Sequence, residues 1–296
     1  MNIKTKVTAF AAALLSVGTL FTACNDIDEG NRYVELPPVE VKRTVLLEEF
    51  TGQMCKNCPE AHADIKSLKK QYGENLIVVG IHSGGDAFSI AEGDPVWEAA
   101  GVTGLRLADG ETYLKKAGFK SGMGLPIGNI NRTSGLKGRD KWSDIIRDEI
   151  ERESEVAIKL STELDEAGKQ LKVTTQLRSV AEFDGTLQLW VVESGIKTMQ
   201  YLPDGSTDWN YTHDHVFRGT INGLDGESVS VDPDLEVGAE ATHTVAIKDN
   251  WNVDNLAVVA IVSNGSGVQQ AAEKEVVEKE PDPETPANPD APADGE

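Results

Sequence analysis

The chain has 296 residues, enough for one large domain or two ordinary ones, and carries a formal net charge of −21. So acidic a chain argues against binding nucleic acid or an anionic membrane face through general electrostatics. Its hydrophobic content of 39% is sufficient to build cores and does not fit a wholly disordered chain.

The N-terminus has the pattern of a targeting segment. Lys4 and Lys6 precede an apolar run to Phe21 that is too short to span a membrane as a helix. The run ends in Phe-Thr-Ala-Cys, which resembles a bacterial lipobox. The resemblance implies a signal peptide over residues 1–23 and a lipid, palmitate included, on Cys24. The alternative is an ordinary secretory signal followed by a chance cysteine.

The cysteine count bears on the redox state. If Cys24 carries lipid, the mature chain keeps only Cys55 and Cys58, so no larger disulfide framework is possible. The compartment beyond the inner membrane is oxidising, and the two residues can therefore form a disulfide. A polar, acidic stretch at 24–40 predicts a tether, and the Pro-rich acidic stretch at 276–296 predicts a disordered tail.

Residues 41–153 alternate between strand and helix patterns. Three strands are predicted. The first lies just before the cysteines, the second covers residues 76–82 and the third covers residues 127–131. Between the first two, apolar residues recur at spacings of four, three and four, which predicts one face of a helix that ends at Gly73. A closing helix is predicted from about Asp140. The alternation indicates an α/β layered fold.

Residues 154–275 change to short segments with period-two alternation, separated by turn dipeptides such as Asp-Gly and Asn-Gly. Many short strands with regular turns predict an all-β, immunoglobulin-like sandwich that no cysteine cross-links. The sequence therefore predicts two domains, with a boundary near residue 153.

A Cys-x-x-Cys pair between a strand and a helix is the strongest chemical motif. The helix N-terminus would favour a thiolate at Cys55, and Cys58 would resolve a mixed disulfide. Here the chain resembles thioredoxin-like proteins over residues 41–153. The resemblance implies that Cys55 is the exposed attacking thiol and Cys58 the buried one. It also implies that Glu49 is the buried acid that assists proton transfer, and that Pro126 is a cis-proline beside the pair.

The chain departs from that family in three respects. Met54 stands where the family usually has Trp, the long gap before Pro126 implies an insertion around residues 84–122, and no second hairpin strand is evident after Pro126. A permanently oxidised, structural disulfide therefore remains an alternative to redox turnover. Zinc is a minor alternative, because two cysteines supply only half a site.

A second resemblance covers most of the mature chain. Four motifs carry it: residues 48–59, including Cys-Lys-Asn-Cys-Pro, and residues 125–132, 213–218 and 251–264. Together they are similar to the outer membrane protein 28 family of Bacteroidota lipoproteins. That resemblance implies an outer-membrane location, on the cell surface or the periplasmic face, and an adhesin or receptor role without assigned enzymatic activity.

Several other residues have open interpretations. His213 and His215 would project from one face of a strand as a metal pair, or form a polar rim. His82 could influence the reactivity of the cysteines, or it could simply form hydrogen bonds at the end of its strand. The aromatic residues could line a binding site or pack in a core; they are Trp190, Trp209, Trp251, Tyr201 and Tyr211.

Two functions are predicted, a preferred one and an alternative. The first is a lipid-anchored surface binding or adhesin-type protein with protein partners. The alternative is a thiol-disulfide oxidoreductase acting on envelope proteins. No phosphate loop, Gly-x-Ser-x-Gly or His-Glu-x-x-His motif occurs, and no cofactor or metal site is predicted.

Overall fold

The computed structural model describes residues 42–165 and 167–278. The predicted signal peptide, the lipidation site Cys24 and the tether lie outside the described residues, as does the acidic tail beyond residue 278. The described residues belong to one compact unit. A mixed α/β region at its N-terminal side is followed by a region dominated by β-sheet, which confirms the predicted order of the two classes.

The N-terminal region begins with a strand, a helix and a second strand: β1 (Val45–Thr51), α1 (Cys58–Tyr72) and β2 (Leu76–His82). β1 and β2 pair in parallel along their whole length, and every residue of both strands is buried. A strand buried on both faces needs a continuous apolar or β-branched run, which residues 76–82 provide.

Helix α1 forms where the sequence pattern predicts it. Pro59 occupies its first turn, where the missing N–H costs no hydrogen bond. Ala61, Ile65 and Leu68 are buried along one face. The helix ends at Gly73, whose positive φ of 54° suits glycine and whose N–H donates to the Lys69 carbonyl oxygen.

The rest of this region contains three short helices and a strand. Helices α2 (Pro95–Ala99) and α3 (Ala108–Lys116) lie within the predicted insertion. β3 (Ile127–Ile130) pairs antiparallel with β1, and α4 (Trp142–Ile150) follows. In the described part of the chain, no second hairpin strand follows β3. Lys137 forms only an isolated bridge with Gly128 of β3.

Ten strands make up the C-terminal region as far as the structure describes it, to residue 278. They are β4 (Val156–Leu164), β5 (Gln170–Ser179), β6 (Phe183–Glu193), β7 (Ile196–Tyr201), β8 (Thr207–His213), β9 (Val216–Thr220), β10 (Glu227–Val231), β11 (Ala239–Ala246), β12 (Leu256–Asn264) and β13 (Gly267–Glu275).

One sheet runs through both regions, in the order β13-β12-β6-β9-β2-β1-β3, with β10 also paired to β6. The junction is a parallel contact between β2 and β9 at Gly80 and Val216, where the Gly80 N–H donates to the His215 carbonyl oxygen at 2.8 Å. The predicted boundary near residue 153 falls between α4 and β4 in the sequence, and this sheet crosses it.

The C-terminal core lies between two sheets. A three-stranded sheet, β11-β5-β4, contributes residues such as Leu171 and Val173, which pack against Leu189 and Val258 of the long sheet. Each strand has one face in this core, and apolar residues therefore alternate with polar ones along the sequence of these strands. The opposite face of the long sheet packs beneath α3, where the rings of Trp190 and Tyr113 are tilted against each other with their centres 4.8 Å apart.

Candidate functional site

Cys55 and Cys58 form a disulfide, with their Cα atoms 5.4 Å apart. Cys55 lies in the loop after β1, and Cys58 is the first residue of α1. The loop turns tightly, because the Cys55 N–H donates to the Gly52 carbonyl oxygen and the Cys58 N–H donates to that of Cys55. The pair thus lies at the start of a helix.

The loop carrying the pair is held from one side by the insertion. A Cβ atom at Gly52 would lie 2.1 Å from the Phe88 carbonyl oxygen and 2.4 Å from Ser89 Oγ, so only glycine fits there. The N–H of Met54 donates to the same Phe88 oxygen at 2.9 Å. Met54 packs against a small apolar cluster that includes Met199 of β7. The position where thioredoxin-like proteins have Trp is therefore an internal packing position here.

The expectation that Cys55 is the exposed sulfur is wrong. Its exposed fraction is 3%, and Cys58 is fully buried. β7 and β8 form an antiparallel hairpin that is hydrogen-bonded to the backbone of the loop carrying Cys55. Gln200 Nε2 donates to the Cys55 carbonyl oxygen at 3.0 Å, and the Tyr201 N–H donates to that of Gln53 at 2.8 Å. Since this hairpin comes from the C-terminal region, the sequence around the cysteines gave no sign of it.

Pro126 stands between two residues of the core that contains the disulfide. The peptide bond between Leu125 and Pro126 is cis. β3 begins at the next residue, with Ile127 opposite Phe50 of β1. Leu125 and Ile127 both belong to the apolar cluster that contains the two cysteines.

Glu49 lies on the other face of β1. It shares that face with Val45 and Leu47, which pack under α1, whereas Phe50 packs with the cysteines. Burial raises the pKa of Glu49 to about 8, although a hydrogen bond with Thr51 opposes the shift. Its side chain lines a cavity of about 470 Å³ between α1 and β8, which neither cysteine lines.

Four of the five histidines line this cavity, which we call the imidazole cavity: His62, His82, His213 and His215. The ring centres of His82 and His213 are 5.2 Å apart, and those of His62 and His213 are 6.3 Å apart. His62 Nδ1 is 2.8 Å from Tyr211 Oη, and its Nε2 is 3.1 Å from Thr51 Oγ1. β8 ends at His213 and His215 has a positive φ of 55°, so the two are not successive positions on one strand face.

The imidazole cavity is lined by groups that burial keeps neutral. Desolvation lowers the pKa of His62 to about 4 and that of His213 to about 3, and it holds the pKa of His82 well below its usual value. His62 Nε2 lies 3.5 Å from Glu49 Oε1. Because the pKa of Glu49 is raised while that of His62 is lowered, this contact joins two neutral groups near pH 7 rather than two ions.

Sequence reasoning missed His62, and it gave Tyr211 only as one of five aromatic residues that could line a binding site or pack in a core. The signal for His62 was its position four residues after Cys58, which places it on the same side of α1 one turn later. The place of Tyr211 beside His62 could be found only from the packing of β8 against α1. Of the other aromatic candidates, Trp190 and Trp251 are buried in cores, whereas Trp209 is 64% exposed.

Two further properties of the described residues concern metal ligands and membrane-spanning helices. Between residues 42 and 278, with residue 166 left aside, no three His, Cys, Asp or Glu side chains already converge to hold a metal ion. Over the same stretch, no helix is both long and apolar enough to cross a membrane.

The fold and site define a mixed α/β and β-sheet protein with a buried Cys-x-x-Cys disulfide beside a histidine-lined cavity. The chain belongs to the family described as outer membrane protein Omp28, whose model matches residues 116–280, more than half of the chain. Membership of this family supports a location at the outer membrane. The match begins after the cysteines, so it does not include the disulfide.

Similarity to solved structures is distant. A protein of Agrobacterium tumefaciens is 15% identical, with 83% of this chain and 99% of that protein covered at a TM-score of 0.48. β-Glucosidase 3B of Thermotoga neapolitana is 15% identical, with 42% and 16% covered at a TM-score of 0.18. This chain spans about a sixth of that glucosidase, and no functional argument follows from either. A comparison with curated proteins gave no match.

Proposed function

We propose that the chain is a lipid-anchored outer-membrane protein of the binding or adhesin type, in which the disulfide is structural. The observation that carries this proposal is the burial of Cys55 and Cys58 beneath Gln200 and Tyr201. Disulfide exchange requires a thiolate to approach one of the sulfur atoms, and the burial of both cysteines leaves no open approach to either. The partners would be proteins of the envelope or cell surface.

The proposed scaffold is thioredoxin-like at the N-terminus and immunoglobulin-like at the C-terminus. The order of β1, α1 and β2, the disulfide at the start of α1 and the cis bond at Pro126 support the first part. The packing of two sheets around one core supports the second part. The missing hairpin strand after β3 and the contact of β9 with β2 are departures from a separate thioredoxin-like domain.

The disulfide of the purified protein should resist reduction. We expect a reduction potential below about −300 mV and no reduction of insulin, because both cysteines are buried and the oxidised form packs in the core. Gln200→Ala removes the side chain that bonds over Cys55, so it should speed the release of thiols by dithiothreitol several-fold. Thr212→Ala, at an exposed position of the same hairpin, is the matched control and should react like the wild type.

The second candidate function is thiol-disulfide exchange after the hairpin opens. It is favoured by a buried acid with a raised pKa, Glu49, on the strand that leads to the pair. A potential between about −120 and −270 mV, with insulin reduction that Cys55→Ser abolishes, would establish this function instead of the binding role.

The anchor is proposed to be lipid on Cys24, which supplies membrane affinity through its buried methylene groups. Cys24→Ser should therefore abolish labelling with radioactive palmitate and move the protein from the membrane fraction to the soluble fraction. Retention of label and membrane association in this variant would refute the anchor. Protease treatment of intact cells then tells whether the domains lie at the surface or face the periplasm.

A further inference from the structure

We propose that the imidazole cavity binds one divalent transition-metal ion through His82 and His213, with its remaining ligands supplied by water or a small chelator. This site goes beyond the binding role proposed above. It is also independent of whether the disulfide turns over, because neither cysteine lines the cavity.

The unpartnered nitrogen atoms are the first evidence. No well-aligned hydrogen bond reaches a ring nitrogen of His82 or His213, although the two residues are only 3% and 2% exposed. The backbone of Gly80 lies close enough to interact with one nitrogen of His82, and that of Met199 with one nitrogen of His213, which leaves one unpartnered nitrogen on each ring. Buried polar atoms in proteins are nearly always paired, and an unpaired group points to an ion, a ligand or water that completes it. One such atom on each of two neighbouring rings in one cavity indicates a shared occupant.

The spacing of the rings is the second evidence. Imidazole nitrogens bind zinc at about 2.0–2.1 Å, so two rings on one tetrahedral ion have centres roughly 5 Å apart. The observed separation of 5.2 Å between His82 and His213 matches this value. His62 is farther away, at 6.3 Å from His213, and its nitrogens already contact Thr51 and Tyr211. The protein therefore contributes two ligands rather than three.

The chemistry of the lining selects the kind of ion. Neutral imidazoles are the ligand form, and they favour zinc and copper over the oxygen-seeking calcium and magnesium ions. Of the charged residues at the cavity, Asp214 favours a cation, whereas Lys69 already contacts the Leu76 carbonyl oxygen and Glu273. The exposed Lys66 opposes a cation at the mouth.

The size of the cavity explains the incomplete protein ligand set. A water molecule takes up about 30 Å³ of liquid volume, and 470 Å³ therefore exceeds the space that a bare ion needs. An ion held by two histidines would keep several water ligands or arrive with a small chelator. This is consistent with the absence of three converging side chains in the described residues.

The test titrates the full-length, detergent-solubilised, oxidised protein with Cu²⁺ and Zn²⁺ near pH 7.5. We expect one ion per chain and, for Cu²⁺, paramagnetic resonance spectra with hyperfine splitting from two nitrogens. The double variant His82→Gln and His213→Gln should bind at least about tenfold more weakly. His243→Gln, which changes a histidine outside the cavity, should bind like the wild type.

Three results would overturn the site: no binding by the wild type, unchanged affinity in the double variant, or a copper spectrum without two nitrogens. The spectrum needs no substitution, so the test stands even if the double variant fails to fold. Insulin reduction is measured on the same sample, which keeps a failure of the structural role of the disulfide separate from a failure of the metal site.

Discussion

Acidification from about pH 7 to pH 4 is expected to lower the free energy of unfolding by several kcal/mol. The pKa of His62 is about 4 and that of His213 about 3 in the folded protein, against 6.5 for an unperturbed histidine. The unfolded chain therefore binds more protons below pH 6.5, and stability is lost as the pH falls. At pH 4 each of these two residues costs roughly 3 kcal/mol, and His82 adds to the loss.

The alkaline side has a different cause. The pKa of Glu49 is raised to about 8 by burial, so the folded protein holds its proton more tightly than the unfolded chain does. The stability that comes from this group is complete below about pH 4.5 and decreases as the pH rises through 8. Stability should therefore be greatest near pH 6.5, where the histidines are neutral and Glu49 is still protonated.

Urea unfolding between about pH 4 and pH 9 measures both effects. Replacing His82 and His213 together with Gln should reduce the slope of the acid arm and leave the part that comes from His62, and Glu49→Gln should flatten the alkaline arm. His243→Gln, which lies on β11 outside the cavity, serves as the control for both. An acid arm that keeps its full slope in the double variant would show that other groups cause acid unfolding.

Loss of the Arg218 guanidinium is expected to destabilise the fold by about 3–5 kcal/mol, as for other broken buried pairs. Arg218 on β9 is 2% exposed, and its side chain contacts Glu193 of β6 at 3.2 Å and Glu92 of the insertion at 3.1 Å. Its guanidinium also lies 5.9 Å from the Trp251 ring centre. Arg218→Met fills similar space but leaves the buried Glu193 carboxylate without its cation.

A double-mutant cycle distinguishes lost pairing from lost packing. Glu193→Gln combined with Arg218→Met should recover part of the stability, because no uncompensated charge then remains on β6. Arg147→Met removes a surface arginine that contacts Asp144 and Asp148, and it should change stability by less than about 1 kcal/mol. If Arg218→Met costs no more than this control, the buried pairs do not hold the insertion to the sheet.

Local patterns in the sequence predicted the elements of the N-terminal region well. The run at residues 76–82 matches β2, and the apolar spacing after the cysteines matches α1 up to Gly73. These predictions succeed because burial of one face, or of both, leaves a period in the sequence that a single element carries by itself. The two cysteines likewise lie close together in the chain, so their pairing needed no tertiary information.

The sequence by itself thus determined the α/β-then-β order, the Cys-x-x-Cys pair at the start of a helix and the motifs of the family. Only the tertiary structure decided that Gln200 closes over Cys55, 145 residues away in sequence. Only it decided that His82 and His213 face one cavity. The physical reason is that the pairing of β9 with β2 brings β8 against α1, and no periodicity within either segment records contact with the other.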